Sequence, residues 1–267
     1  MESSLLDVSQ VPVVILCGGQ GSRMREDGEI RPKPMMEIGE KPILWHIMKY
    51  YSCFGFRRFI LPLGYRGDFI KNYFVNFKNT SGNFTLSLNP KVATQNHSIA
   101  QEKDWEITFV ETGLHTLKGA RIKKIEPFIK NDTFHVTYGD GVSNVDLKKL
   151  HQFHLNHGKT GTVTVVRPPS RFGEMKIKNG KVLSFEEKPQ LSSGNINGGY
   201  FVFNKDFLKS LSADPKCDLE FGALQKIAKK NELHAYDHSG FWQCMDTPRE
   251  RDFLNKVWEK GAPWKLW

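Results

Sequence analysis

Apolar strand-like runs alternate with helical segments along the first half of this chain, and this alternation constrains the fold more than any other feature. The runs 11–17 and 59–63 are rich in β-branched and aromatic residues, and between them 42–54 carries apolar side chains at helical spacing before Gly55. Parallel strands need such helical crossovers, which then cover both faces of the sheet. We therefore predict an α/β fold with a Rossmann-like, mostly parallel mixed sheet and helices on both faces.

The second half of the chain is richer in hairpins than the first. The run 175–188 alternates polar and apolar residues on either side of Asn179-Gly180, a dipeptide typical of a two-residue hairpin turn. We interpret this region as a small β-rich elaboration of the same sheet.

The length of 267 residues is enough for one large α/β domain with an ample core. Neither an internal repeat nor a low-complexity linker divides the sequence. We predict an N-terminal extension at 1–10 followed by a single domain at 11–267.

Charge, hydropathy and cysteine content exclude several classes of protein. The formal net charge is +9, but the lysines are dispersed, many lie next to acids, and no nucleic-acid recognition motif accompanies them. No stretch approaches the roughly 20 apolar residues of a membrane helix, and the N-terminus lacks the basic region of a signal peptide. The four cysteines form no C-x-x-C pair, so neither a disulfide framework nor a zinc site is predicted. We expect a cytoplasmic protein that binds neither nucleic acid nor membranes.

A glycine-rich turn follows the first predicted strand. Gly18, Gly19 and Gly21 fall within four residues, at the carboxyl end of a strand where backbone N–H groups can bind phosphate oxygens. The Walker pattern is not met, because Gly21 is followed by Ser22-Arg23, and the dinucleotide pattern has methionine in place of its third glycine. The turn predicts a phosphate site of another kind; a glycine turn without a ligand is the alternative.

One lysine and two aspartates add to this prediction. Lys33 stands between Pro32 and Pro34, which stiffen the backbone, so its ammonium group loses less freedom on binding an anion. Asp140 and Asp246 each end a predicted strand, and two carboxylates near bound phosphates suit Mg²⁺. The alternatives are a surface role for the lysine and a helix N-cap role for either acid.

The motifs resemble those of the sugar-1-phosphate nucleotidyltransferases. The likeness is carried by "LCGGQGSRM" at 16–24, "RPKPMMEIGEKPILWHIM" at 31–48, "VTYGDG" at 136–141 and "GFWQCMDT" at 240–247. The second spelling is similar to that of members that transfer a cytidylyl group to glucose 1-phosphate. The resemblance extends, in order, over almost all of 11–267.

The resemblance implies a function and a role for each matching position. It implies transfer of a nucleotidyl group from CTP to a sugar 1-phosphate, with a nucleotide-binding half at about 11–145 and a sugar-binding half at about 146–267. Lys33, Arg23 and Asp140 would be catalytic, and Asp140 and Asp246 would hold Mg²⁺. The residues implied to bind the nucleotide are Leu16, Gly18, Gly19, Gly21, Ser22, Arg23, Lys33, Thr112, Gly113, Gly119 and Arg121. Those implied to bind the sugar phosphate are Tyr138, Gly173, Glu187, Lys188, Asn197 and Gly199.

The sequence departs from the family pattern at 118–121, which reads Lys-Gly-Ala-Arg. If this segment contacts the nucleotide, Lys118 adds a cation near the ribose or the phosphates. UTP in place of CTP, another sugar phosphate, and a non-catalytic regulator that binds nucleotide sugars are the alternatives left open.

Assembly and one histidine pattern complete the expectations. The resemblance implies a homohexamer and a role in deoxysugar or surface polysaccharide biosynthesis, and we expect the aromatic-rich stretches 71–79 and 262–267 to be exposed interface anchors. His151, His154 and His157 recur every three residues, and we interpret them as surface or interface histidines rather than a metal site.

Overall fold

The computed structural model describes residues 7–19, 31–89, 91, 93–97, 102–167, 174–186 and 194–267. The strands in these ranges are β1 (Pro12–Leu16), β2 (Glu37–Ile38), β3 (Lys41–Pro42), β4 (Arg58–Leu63), β5 (Phe84–Thr85), β6 (Gln95–Asn96), β7 (Glu106–Glu111), β8 (Thr133–Tyr138), β9 (Gly141–Ser143), β10 (Gly161–Val166), β11 (Glu174–Lys178), β12 (Lys181–Glu186), β13 (Ile196–Asn204), β14 (Leu233–His238) and β15 (Trp242–Cys244). The α-helices are α1 (Ile43–Cys53), α2 (Gly67–Val75), α3 (Phe77–Thr80), α4 (Lys118–Lys124), α5 (Leu147–His157), α6 (Gln225–Lys229) and α7 (Pro248–Glu259). Three 3-10 helices span Lys33–Met35, Glu126–Phe128 and Lys205–Ser210, and a π-helix spans Leu219–Leu224.

Within the described residues, seven strands form one sheet in the order β14-β10-β13-β8-β1-β4-β7. β1 pairs in parallel with β4 and β8, β4 with β7, and β10 with β14. β13 runs antiparallel to both of its neighbours, β8 and β10. The prediction of a mostly parallel mixed sheet is therefore confirmed.

The central strand β1 is buried on both faces, which explains its unbroken apolar sequence. Val13 and Ile15 pack into a core cluster with apolar side chains of α1, α5 and α7. Val14 and Leu16 pack into the opposite cluster, with side chains of α4 and α6. Because successive side chains of a strand point to opposite faces, this division places helices on both faces of the sheet, as predicted.

Helix α1 lies in the first of these clusters and buries the predicted apolar face. Ile43, Leu44 and Ile47 are almost entirely inaccessible, and each such side chain stabilises the fold by roughly 1.5–3 kcal/mol. The helix ends before Gly55, whose φ of 102° is in the left-handed region that favours glycine.

The predicted hairpin is confirmed as β11 and β12, which pair antiparallel with Lys178 opposite Lys181. The two turn residues, Asn179 and Gly180, have φ values of 49° and 75°. Positive φ at both central positions defines the turn that matches the twist of a tight hairpin.

The interpretation of the α5 histidines as surface residues is wrong. His151 and His154 are 3% and 1% exposed, because a spacing of three places them on the face of α5 that packs against the sheet. His151 Nδ1 lies 3.0 Å from His135 Nε2, and His154 Nδ1 lies 2.9 Å from Thr162 Oγ1. His157 is half-buried on the same side, with Nε2 2.6 Å from Thr162 Oγ1.

The expectation that the two aromatic-rich stretches are exposed anchors is also wrong. Trp264 is fully buried, and its indole N–H donates to His46 Nδ1 over 3.4 Å. Phe77 is 8% exposed, and Tyr73 and Phe74 are partly buried and pack edge to face. Trp264, Tyr73 and Phe74 belong to or pack against the core cluster that contains the apolar side chains of α1, so these rings pack within their own chain.

The described helices are all too short or too polar to cross a membrane. The four cysteines are all within the described ranges and are free thiols.

Candidate active site

A cleft of about 660 Å³ opens at the carboxyl ends of β1 and β8. This is the edge at which open α/β sheets bind ligands, and the volume suits a small molecule. The predicted site residues that line it are Leu16, Gly18, Gly19, Lys33, Arg121, Tyr138, Asp140, Asn197 and Asp246.

Lys33 and two aspartates form an ion-pair cluster in the cleft. Lys33 Nζ donates to Asp140 Oδ2 over 2.6 Å and also contacts Asp246 Oδ1. The lysine side chain is only 13% exposed. Burial disfavours its charged form, but the attraction and hydrogen bonds of the two carboxylates outweigh burial and raise the pKa of Lys33 above its usual value.

The two aspartates meet because their flanking strands pair. Asp140 directly precedes β9 and Asp246 closely follows β15, and these strands run antiparallel with Gly141 opposite Cys244. The backbone N–H of Met245 donates to the carbonyl of Asp140 over 2.8 Å. This register places the acid before one strand beside the acid after the other.

The alternative of a helix N-cap does not hold for Asp246. The N-cap of α7 is Thr247, whose side chain accepts from the backbone N–H of Glu250, and the Glu250 carboxylate accepts from the N–H of Thr247 in return. Asp140 precedes a strand, not a helix. Both carboxylates are therefore free of capping roles and face the cleft with Lys33.

The donor set suits a hard divalent cation. Two carboxylates converge on a single positive charge, Lys33 Nζ, and one or two carboxylates plus substrate phosphates are the usual protein ligands of Mg²⁺. The neighbouring thiol of Cys244 lies 3.9 Å from Asp246 Oδ2, and burial followed by the charge of Asp246 raises its pKa to about 12.

The glycine turn is held in place by Arg121, which is 3% exposed. Its Nη2 donates to the carbonyl of Gly18 over 3.0 Å, and its Nη1 donates to the carbonyl of Leu63 over 2.9 Å and to Thr112 Oγ1 over 2.5 Å. A Cβ at Gly18 would lie 2.2 Å from this guanidinium. Arg121 thus joins the ends of β1 and β4 to the loop after β7, and a direct contact with the nucleotide stays a prediction.

Glycines near the cleft differ in what surrounds them. A Cβ at Gly19 would meet no atom of the described residues within 4 Å, so on their side its backbone is open to a ligand. Gly113 has a φ of 100°, and Gly119 lies against the backbone of 217–218. Thr112 is 1% exposed and hydrogen-bonds the carbonyl of Leu63 over 2.6 Å.

Three predicted sugar-side residues, Tyr138, Asn197 and Gly199, are among the described residues and contact one another at one wall of the cleft. The Tyr138 hydroxyl donates to Glu220 Oε1 over 2.6 Å and accepts from Asn197 Nδ2 over 3.0 Å. Gly199, at φ 78°, packs against the Tyr138 ring and donates its N–H to Asn197 Oδ1 over 2.8 Å.

Two residues of this wall escaped the sequence-based prediction. Trp242 lines the cleft and donates its indole N–H to the carbonyl of Gly198 over 2.7 Å; the motif at 240–247 contains it. Glu220 belongs to no motif and is brought here only by the π-helix.

Six predicted site residues lie outside the described residues, and their roles stay predictions: Gly21, Ser22, Arg23, Gly173, Glu187 and Lys188.

Comparison with known proteins shows the family of this chain. The family model described as nucleotidyl transferase matches residues 12–256. The chain is 43% identical over 256 residues to the glucose-1-phosphate cytidylyltransferase of Salmonella typhimurium, covering 95% of this chain and 98% of the relative. It is 41% identical over 255 residues to the probable glucose-1-phosphate cytidylyltransferase of Bacillus subtilis, covering 95% and 99%.

A solved structure shares the fold at lower identity. HddC from Yersinia pseudotuberculosis superposes with a TM-score of 0.67 at 23% identity, covering 93% of this chain and 99% of that one. Because the family model spans nearly the whole sheet and the relatives match almost end to end, this chain belongs to the nucleotidyl transferase family and is a nucleotidyltransferase.

Proposed function

We propose that this protein transfers the cytidylyl group of CTP to α-D-glucose 1-phosphate and releases pyrophosphate and CDP-glucose. The observation that carries the proposal is the cluster of Lys33, Asp140 and Asp246 beside the glycine turn. The substrates are inferred from relatives named glucose-1-phosphate cytidylyltransferase, to which the chain is up to 43% identical.

The reaction needs charge stabilisation more than proton transfer. The second pKa of a phosphate monoester is about 6, so the sugar phosphate is mostly a dianion at neutral pH and needs no general base. One of its oxygens forms a bond to the α-phosphorus of CTP, while the bond from that phosphorus to the bridging oxygen breaks and pyrophosphate takes the electron pair. Repulsion between the two anions is the main obstacle, and positioned cations reduce it.

The chain's own groups are arranged for this task. The ammonium of Lys33 is fixed in the cleft near the open backbone of Gly19. It would neutralise charge between the attacking and the leaving phosphate oxygens. The N–H groups of the glycine turn would hold the phosphates of CTP in line for attack.

Members of this family generally use a divalent metal ion, and we propose that it is Mg²⁺, held by Asp140 and Asp246. When bound, it neutralises phosphate charge and orients the phosphates. Because both carboxylates contact Lys33 in this structure, the lysine would exchange part of these contacts for contacts with the phosphates.

A substrate panel tests the function. Each of the four nucleoside triphosphates is combined with several sugar 1-phosphates, and pyrophosphate release is measured with Mg²⁺ and with excess EDTA. We expect CTP with glucose 1-phosphate to be best, UTP to be used at a reduced rate, and EDTA to abolish the reaction. A preference for ATP or GTP would contradict the cytidylyl assignment. Nucleotide-sugar binding without any pyrophosphate release would favour a regulator.

We also propose a homohexamer in the cytoplasm, with the product used in deoxysugar or surface polysaccharide biosynthesis. These points are supported by the sequence resemblance alone. Light scattering that gives a monomer at micromolar concentration would contradict the hexamer.

A further inference from the structure

A chain of hydrogen bonds along one wall of the cleft ends on Glu220. The N–H of Gly199 donates to Asn197 Oδ1 over 2.8 Å, Asn197 Nδ2 donates to the Tyr138 hydroxyl over 3.0 Å, and that hydroxyl donates to Glu220 Oε1 over 2.6 Å. The four residues come from three elements, β8, β13 and the π-helix.

The chemistry of the donors fixes the direction of this chain. A carboxylate only accepts, so the single proton of the Tyr138 hydroxyl is committed to Glu220. The hydroxyl oxygen must then accept, which requires the amide nitrogen of Asn197 to face it. The carbonyl oxygen of Asn197 faces the N–H of Gly199, which can only donate. Gly199 thus sets the orientation of the Asn197 amide. Glu220, by taking the Tyr138 proton, leaves the hydroxyl oxygen free to accept from Asn197 and hold the amide in that place.

Lys118 strengthens this arrangement from a fourth element, the start of α4. Its ammonium contacts the same Glu220 oxygen and lies 4.8 Å from the centre of the Tyr138 ring. The Lys118 and Glu220 side chains are 45% and 25% exposed. Ion pairs this exposed contribute little to folding stability, so the consequence of the pair is mainly positional.

We propose that Glu220 is a positioning residue for the sugar 1-phosphate. By accepting the Tyr138 proton, it keeps the hydroxyl oxygen as the acceptor for Asn197 and so holds the Asn197 side chain, which lines the cleft, in place to donate the second N–H of its amide to a hydroxyl or phosphate oxygen of the acceptor. Glu220 also neutralises the positive charge of Lys118, which would otherwise be available to the nucleotide. This inference rests on the proposed function and adds Glu220 and Lys118 to its acceptor site.

Steady-state kinetics of Glu220→Ala test the proposal. Loss of one well-oriented hydrogen bond costs about tenfold in affinity, so we expect KM for glucose 1-phosphate to rise about tenfold while KM for CTP changes less than about threefold. Glu220→Gln keeps an oxygen that accepts from Tyr138 and should restore most of the acceptor affinity. The control is Glu126→Ala, which removes another partly exposed Lys–Glu pair, with Lys123, outside the cleft and should leave both constants unchanged.

A double-mutant cycle separates positioning from simple structural support. Tyr138→Phe keeps the ring and removes the hydroxyl, so it should reproduce the acceptor defect, and Glu220→Ala combined with Tyr138→Phe should be no worse than either change alone. If Glu220→Ala does not fold, the kinetics of Tyr138→Phe alone still test the proposal. Additive effects, or equal rises in both KM values with a lowered Tm, would overturn the proposal. Wild-type protein that releases no pyrophosphate from CTP and glucose 1-phosphate would instead contradict the proposed function.

Discussion

Lys33, Asp140 and Asp246 come from segments 107 and 213 residues apart and meet in one cluster. The one cation and the two anions are all partly buried and depend on one another. The lysine neutralises the two carboxylates, and the carboxylates keep the lysine charged. A change in any one of them therefore alters both the chemistry of the site and the charge balance of the cleft.

Asp140→Asn keeps the shape of the side chain and removes its charge. Since a carboxylate near the reacting phosphates supplies a large part of the stabilising electrostatics, we expect kcat to fall at least about a hundredfold. Pyrophosphate release measures this, with Asp206→Asn as the control because Asp206 is an exposed acid on the 3-10 helix 205–210. Near-normal turnover of Asp140→Asn would return the residue to a structural role.

Lys33→Met removes the ammonium that both acids contact. We expect turnover to fall by about a hundredfold or more. In the absence of nucleotide, we expect tighter binding of Mn²⁺, a carboxylate-binding cation, because no ammonium competes for the two carboxylates. Electron paramagnetic resonance of free Mn²⁺ measures the affinity, with Lys209→Met on the exposed Lys209 as the control. Unchanged Mn²⁺ affinity together with normal turnover would show that the ammonium serves neither purpose.

At the scale of elements, buried Arg121 links the ends of β1 and β4 to the loop after β7. Arg121→Met would leave these acceptors unsatisfied in a buried place, and we expect a loss of roughly 2–4 kcal/mol in the free energy of unfolding. Urea unfolding measures it, and Arg249→Met, at an exposed position of α7, is the control. Wild-type stability of Arg121→Met with weakened CTP binding would mean that the guanidinium serves the nucleotide and not the fold.

Gly18 and Gly19 make a matched pair within one loop. A Cβ at Gly18 would lie 2.2 Å from the Arg121 guanidinium, whereas a Cβ at Gly19 would meet none of the described atoms within 4 Å. We expect Gly18→Ala to lose roughly 1–3 kcal/mol of stability and Gly19→Ala to lose almost none. Gly19→Ala should instead raise KM for CTP, because the new methyl group covers backbone expected to contact phosphate. Equal thermal unfolding of the two variants would contradict this division of roles.

At the scale of the whole molecule, buried histidines make stability depend on pH. Burial lowers the pKa of His151 to about 4, that of His46 to about 4, and those of His135 and His154 below the usual value. The folded state therefore favours neutral rings, while the unfolded chain takes up protons below pH about 6.5. Their contribution is present above pH about 6.5 and is lost as the pH falls toward about 4.

Urea unfolding at two pH values checks this linkage. Between pH 7.5 and pH 5.5 we expect His46 and His151 each to reduce the free energy of unfolding by about 1 kcal/mol. His151→Gln should weaken the pH dependence, and His97→Gln, at an exposed histidine, should not. Equal stability of the wild-type protein at both pH values would contradict the assignment.

The sequence alone was sufficient for the main strands and helices of the sheet and for the choice of candidate site residues that belong to a motif. Strands such as β1 and helices such as α1 follow from local periodicity, and the turn at Asn179-Gly180 follows from residues that tolerate positive φ. Lys33, Asp140 and Asp246 were identified because their motifs and positions at strand ends are local features. Periodicity, turn residues and motifs can be recognised in the sequence because each depends only on neighbours within a few residues.

Only the tertiary structure decided which groups meet and which are buried. The pairing of β9 with β15 brings Asp140 to Asp246, and packing buries His151 and Trp264, which the sequence had placed on the surface. Glu220 has no motif and reaches the cleft through the π-helix. The physical reason is that such contacts depend on strand register and helix packing between segments far apart in the chain, and a spacing of three marks one face of a helix without saying whether that face meets water or the sheet.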